Sequence, residues 1–289
     1  MEIVLNSHLG VYEWGKLFRA GHAEELTIDL TNVEFAYPSG TVALSLVVNY
    51  RGENGKPTEL TLPEDPEDND VVTYLNRVDL FDSLPREVRI FQDLSSLKHH
   101  ARNPSHKFTE VHVLEEEGLE DASTVVQEFL QRHVEQWRRP YEAFNEVLLN
   151  ARDHSRASET NGAEDSELKF GVLHVQVYEN QLELAVGDIG DGVRKSLNTC
   201  PDHDFRRSTT AIRATLERGI SRFSHMPDRE RGGGLRRVKN AVARMGGKLD
   251  LRSYEGSAHL ANGELEYNRY QNPFPGTLAR IDLPSRDRR

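Results

Sequence analysis

Cysteine is almost missing from this chain: Cys200 stands alone among 289 residues. One thiol excludes an internal disulfide and a zinc cage built on several thiolates, and it suits a reducing compartment. Long apolar runs are missing as well. No segment approaches the ~18 uninterrupted apolar residues that a membrane-crossing helix needs, and the opening "MEIVLNSHLGVYEW" has no cationic stretch followed by an apolar one. A soluble, cytoplasmic protein is the expectation. Positive charge is in deficit, 36 Lys and Arg against 47 Asp and Glu, for a formal charge of -11. That balance argues against a general nucleic-acid binder, which needs basic surplus to displace counterions from phosphates, and leaves only local basic patches. There is no internal repeat, and low complexity is limited to "RGGG".

What is present divides the chain in two, as about 100 to 200 residues per domain would allow. Over residues 1–95, short strand-like runs such as "ELTIDL" (25–30) and "TELTLP" (58–63) alternate with helical ones, "GTVALSLVVNY" and "NDVVTYLNRVDLF". Such alternation predicts a small α/β layer. Between them "EDPEDND" (64–70) reads as a solvated loop rather than a metal site. Residues 96–107, "SLKHHARNPSHK", read as a linker whose histidines lack regular ligand spacing and are surface groups rather than a metal cluster.

Residues 108–289 follow a different order. A strand, "FTEVHVLEE", leads to a helical region over about 122–155, where Pro140 marks a kink or a new first turn. Two strands, "LKFGVLHVQVY" and "QLELAVGDIG", share a tight "EN" turn. Then come a long irregular stretch, a helix from Leu235 to about Met245, and the strands "KLDLRS", "GELEY" and "TLARIDL". Helices followed by mostly antiparallel strands predict an α+β layer.

Several stretches carry chemistry. In "FNEVLLNARDHS" (144–155), Glu146, Asn150 and His154 recur every four residues and share one helix face, beside the apolar strip Phe144, Val147, Leu148 and Ala151. A polar row next to a core strip borders a cavity or water. At the end of a strand, "VGDIGDGV" sets Asp188 before Gly190 and Gly192, where main chain can approach a flat ligand and a carboxylate can accept from an exocyclic amine. Taken alone it reads first as a glycine-rich turn. "RGGGLRRVKNAVARMGG" places Gly232, Gly233 and Gly234 before Leu235 at a helix entrance, either a phosphate cradle or a hinge. Between these motifs, residues 193–231 hold nine Lys or Arg against five acids, which reads as a solvated face or as a mobile lid over a polyanion.

Taken in order, "EVLLN", "DIGDG", "GGGL" and "GTLARIDL" resemble the GHKL superfamily, which groups type II topoisomerase ATPase domains, heat-shock chaperones, histidine kinases and mismatch-repair ATPases. The likeness runs over roughly residues 108–285 and implies the Bergerat fold, an α/β sandwich of helices on a mostly antiparallel sheet that holds ATP and Mg²⁺. It implies Asn150 as the magnesium ligand, Asp188 as reader of the adenine amine, Gly190 and Gly192 beside the base, Gly232, Gly233, Gly234 and Leu235 at the phosphates, and Thr277 at the water-mediated adenine contact. Glu146 would be the general base. "NARDHS" is similar to the equivalent helix of histidine kinases and anti-sigma-factor serine kinases, where a basic side chain meets phosphate. His154 takes that role or is a surface or capping histidine.

No histidine box on a dimerising helix is present, and no long domain follows the ATPase-like region, so the reading narrows to small regulatory members. Over residues 1–95, "LTIDLTNVEFAYPSGTVALSLVV" (26–48) resembles the STAS domain of anti-sigma-factor antagonists, which are phosphorylated at a serine matching Ser39. Here Tyr37 replaces the acidic residue common two places before it, and capping of a helix that begins at Gly40 is the favoured reading of Ser39. The expectation is an ATP-dependent regulatory switch, a Mg-dependent ATPase or serine kinase, that acts on a protein partner. Many relatives dimerise, which makes a homodimer an expectation. The alternatives are a module that binds ATP without chemistry and a scaffold whose glycines serve turns.

Overall fold

Short β-rich runs alternating with helices close into a parallel sheet in the first unit. In chain order these are β1 (Glu2–Val4), β2 (His8–Leu9), α1 (Trp14–Ala20), β3 (Leu26–Asp29), β4 (Phe35–Ala36), α2 (Pro38–Glu53), β5 (Thr58–Thr61), α3 (Asp70–Arg77) and β6 (Arg89–Ile90). Strands β1, β3, β5 and β6 lie side by side, all parallel, with the small β2–β4 pair apart. The "EDPEDND" loop holds one 3-10 turn, Pro66–Asp68, and then Asn69 caps α3 by accepting from the amides of Val71 and Val72 at 3.1 and 3.0 Å, an interaction worth about 1 kcal/mol. This is a computed structural model that describes residues 1–95, 97, 107–114, 119–155, 170–222 and 233–285, with residues 119 and 152–155 by backbone alone. Apart from Leu97 and Lys107, the 96–107 linker lies outside the described residues.

The second unit comprises β7 (His112–Val113), α4 (Leu119–His133), α5 (Arg138–Ser155), β8 (Gly171–Val177), β9 (Gln181–Asp188), α6 (Gly192–Leu197), α7 (Ser208–Arg213), α8 (Gly234–Arg244), β10 (Lys248–Ala261) and β11 (Glu264–Pro284). Its sheet runs β10-β11-β9-β8-β7 and is antiparallel throughout. The described residues are therefore mixed α/β, with a four-stranded parallel sheet, the two-stranded parallel β2–β4 pair and a five-stranded antiparallel sheet. Pro140 falls in the first turn of α5, where its missing N–H costs nothing. The Glu179–Asn180 turn is closed by the amide of Tyr178 donating to the carbonyl of Gln181 at 2.6 Å. Where the sequence predicts three separate C-terminal strands, the structure has two long ones, because the ladder resumes beyond a bulge and carries "GELEY" into β11.

Strand period explains how both faces of this sheet are covered. Leu173, Val175, Leu184 and Val186 point to one side, where they pack with Val126 and Leu130 of α4, Phe144 and Leu148 of α5, and Val238 and Val242 of α8. Each such side chain contributes roughly 1.5–3 kcal/mol by leaving water. The alternate residues point the other way and are partly polar: His174, Gln176 and Glu183, with Val172 and Ala185 among them. That face meets the first unit. Helix α2, buried from Pro38 to Val48, packs on β8 and β9 as well as on its own sheet, which is why it is apolar on all sides. From α3, the Tyr74 hydroxyl donates to Gln176 Oε1 at 2.5 Å.

A buried charge network closes the seam. Arg280 on β11 donates to Glu183 at 3.0 Å, to Asp250 at 2.8 Å and to Asp282, while the other Glu183 oxygen accepts from the backbone amide of Ser39 at 2.8 Å. Ser39 therefore does not cap α2. The helix starts before it, at Pro38 with Tyr37 as N-cap and no side-chain cap, because proline's fixed φ suits the first helical position. The Ser39 hydroxyl is wholly enclosed, out of reach of a kinase in this arrangement.

Burial pushes the Asp282 carboxyl up from 3.8 to about 7, although Arg280 pulls it down. Below about pH 4 folded and unfolded chains both carry this proton. Between about pH 4 and 7 only the folded chain holds it, so this stabilising contribution is full in acid and is lost as pH rises through the folded value. Urea unfolding followed across that window is expected to show the loss in the parent and not in Asp282→Asn. Identical slopes for the two proteins would remove Asp282 from this account.

Candidate functional site

Helix α5 turns Glu146 toward α8. Glu146 and Asn150 are half-buried one turn apart, beside the buried strip of Phe144, Val147, Leu148 and Ala151. The helix continues through His154, whose side chain lies outside the described residues, as does Gly232. Helix α8 is amphipathic in the usual way: Leu235, Val238 and Val242 are buried while Arg236 is exposed. Its N-cap is Gly233, in the left-handed region with φ 75°. The carbonyl of Gly233 accepts from the amide of Arg237 at 2.9 Å, and the amides of Gly234, Leu235 and Arg236 precede the first intrahelical donors.

Two motifs that lie about ninety residues apart in the chain meet here. A Cβ added at Gly234 would stand 2.6 Å from Glu146 Oε2 and 3.2 Å from Glu146 Cβ, so a side chain there would displace the Glu146 carboxylate. One turn further on, Arg237 makes an ion pair with the same carboxylate, at Oε1. The helix dipole favours an anion at the entrance of α8, and the Glu146 carboxylate occupies that place, paired with Arg237.

The third motif gathers at the end of β9. Asp188 is 1% exposed and lies in register with Thr277 on β11 and Gly171 on β8. Gly276, with φ 95°, passes so close that a Cβ there would be 1.9 Å from the Asp188 carbonyl oxygen and 2.9 Å from the Gly190 amide. Ser253 on β10 ties the group together: its hydroxyl accepts from the amide of Val193 at 2.8 Å and from the Thr277 hydroxyl at 3.3 Å, and donates to the Gly276 carbonyl at 3.2 Å. The fold thus unites Asp188, Gly190, Gly192 and Thr277, as it unites Glu146 with Gly234.

Three residues escape sequence reasoning. Arg237 had a readable signal, three positions after Gly234 on one helix face. Ser253 and Gly276 had none, since only the ladder sets them beside Asp188.

The stretch after Gly192 differs from the expected lid as far as residue 222. It forms α6, α7 and a π-helical turn, Ala214–Arg218, with Ala211, Ile212 and Leu216 in the core. Glu255 accepts from the amide and hydroxyl of Ser208 and so anchors α7. Several of its cations have local partners, Lys195 with Asp191 and Arg213 with Glu217 and the Tyr267 ring. Residues 223–231 of the expected lid lie outside the described residues.

No family model matches the chain, and no curated protein matches it at a significant level. Among the described residues, no helix is long and apolar enough to cross a membrane.

Proposed function

We propose that the chain is an ATP-binding regulatory protein of the GHKL type, a Bergerat-like unit preceded by a STAS-like one. The observation that carries this reading is the convergence on one side of an antiparallel sheet of a polar helix row, a glycine-opened helix and a buried carboxylate at a strand end. The residues suit the ligand. Asp188 would be the buried acceptor for the adenine amine, with the Gly190 and Gly192 turn and Thr277 beside it. The amides of Gly233, Gly234 and Leu235 open α8 toward phosphate oxygens. Asn150 would hold Mg²⁺ through its amide oxygen, which suits an ion that keeps water and phosphate as its other ligands. When bound, magnesium screens the phosphate charge and orients the terminal group.

On this reading Glu146 is the general base, released from Arg237 when nucleotide draws the guanidinium away, and the partner is a protein whose binding follows nucleotide state. Glu146→Gln is expected to abolish phosphate release and phosphoryl transfer from Mg-ATP while changing the ATP dissociation constant by less than about threefold. Turnover at the parent rate would take Glu146 out of the mechanism. The ion pair also favours a second reading, a module that binds ATP without chemistry and uses Glu146 to hold Arg237. Under that reading parent protein incubated with Mg-ATP releases no phosphate and gains no mass.

A further inference from the structure

The β10–β11 hairpin holds a cavity that shares no residue with the site above. Tyr254 pairs with Phe274 and Gly256 with Arg269, so residues 270–273 bulge out of the ladder opposite Glu255. Tyr254 sits at φ 55°, a conformation costing a bulky residue about 1–3 kcal/mol and found disproportionately at ligand sites. The bulge and α6 border an open cleft of about 570 Å³, lined by Arg194, Tyr254, Glu255, Arg269, Tyr270 and Pro273 among others. That volume is in the range of small-molecule sites.

Charge decides what such a cavity takes. Both oxygens of Glu255, the acid in the wall, are committed to Ser208 at 3.0 and 2.9 Å. Behind the wall Arg252 is 3% exposed, with its guanidinium between the rings of Tyr270 at 3.9 Å and Phe18 at 4.6 Å. Its Nη2 donates to the Asn272 carbonyl at 3.0 Å, while Nε and Nη1 are buried without a hydrogen-bond acceptor. Burial lowers its pKa to about 10, so it stays cationic at neutral pH. A buried guanidinium without a carboxylate is costly to fold around. Two arginines, Arg194 and Arg269, thus line the cavity against one acid, Glu255, and Arg252 adds a third positive charge behind its wall, in a chain of net charge -11.

We infer that this cavity binds a small organic anion, a phosphate or carboxylate carried on a planar ring. Arg194 and Arg269 hold the charge, Tyr254 and Tyr270 hold the ring, and Arg252 supplies a positive field from behind Tyr270. Because Phe18 of the first unit stacks on Phe274 at 4.4 Å as well as on Arg252, an occupant also bears on the seam between the two units.

Phenyl phosphate titrated into the full chain, followed by NMR of arginine Nε–H and tyrosine ring signals, tests this. Saturable shifts at Arg194, Arg269 and Tyr270 are expected, with phenol and inorganic phosphate each binding about tenfold or more weakly. Arg269→Ala should weaken phenyl phosphate about tenfold, and Arg194→Ala added to it about a hundredfold, with the melting temperature confirming that each variant folds. Should the double variant unfold, Arg269→Gln alone gives the same comparison. Parent-like affinity in these variants, equal affinity for phenol, absence of saturable binding, or shifts confined to Gly233–Arg237 would each overturn the assignment.

Discussion

Asp188→Ala is expected to abolish the measurable heat of Mg-ATP binding. Asp188 is buried at the end of β9, its backbone in register with Gly171 on β8 and Thr277 on β11. An adenine amine that donates to its carboxylate makes a hydrogen bond to a charged group out of water, worth about 1.5–3 kcal/mol. Losing that much weakens binding about ten- to 150-fold, and the base loses its orientation as well. Parent protein at a hundredfold excess of ATP over its dissociation constant should gain about 2.7 kcal/mol of stability, which Asp188→Ala should not. Thr277→Ala, which breaks the hydroxyl contact to Ser253, should have a smaller effect of the same sign. Parent-like heat in Asp188→Ala, or none in the parent, would leave the glycines as turns and nothing more.

The largest loss of stability is expected from Arg280→Ala. Glu183 is completely buried and Asp250 and Asp282 nearly so, and Arg280 is the cation that all three share. Removing one partner of a buried ionic group leaves carboxylates in a poor solvent and costs about 3–5 kcal/mol. Replacing the group as a whole, Arg280→Met with Glu183→Gln, Asp250→Asn and Asp282→Asn, should cost less than the single change, since none of the four charges then remains. The network lies where α2 meets β9, so both units should lose stability together. Trp14 reports the first unit and Trp137 the second, and in single-tryptophan variants their fluorescence midpoints should fall in parallel. A drop seen by Trp137 alone would mean that the seam does not couple the units.

Legibility followed the range of the forces involved. The α8 stripe of Leu235, Val238 and Val242 and the Glu179–Asn180 turn are local, and the sequence predicts both within a residue or two. Strand pairing is not local. Three strand-like runs became two long strands because hydrogen-bond continuity across a bulge outweighs the weak pattern of residues 254–276. The stretch after Gly192, charged and weakly periodic, reads as irregular, yet Glu255, 47 residues on from Ser208, anchors it as helix. Ser39 is the clearest case, since its surroundings are set by Glu183, 144 residues away.

By itself, then, the sequence determined the kinds of element and their order: an alternating α/β run, a change of pattern near residue 108, a polar row on α5, and glycines ahead of α8 and after Asp188. Those depend on side-chain period and on where a Cβ is missing, which each segment carries within it. Only the tertiary structure decided that Glu146 meets Gly234 and Arg237, that Ser253 and Gly276 close around Asp188, and that the second face of the sheet is spent on the first unit. Those contacts arise when two packed layers must match volume and neutralise charge at once, a condition no single segment can state.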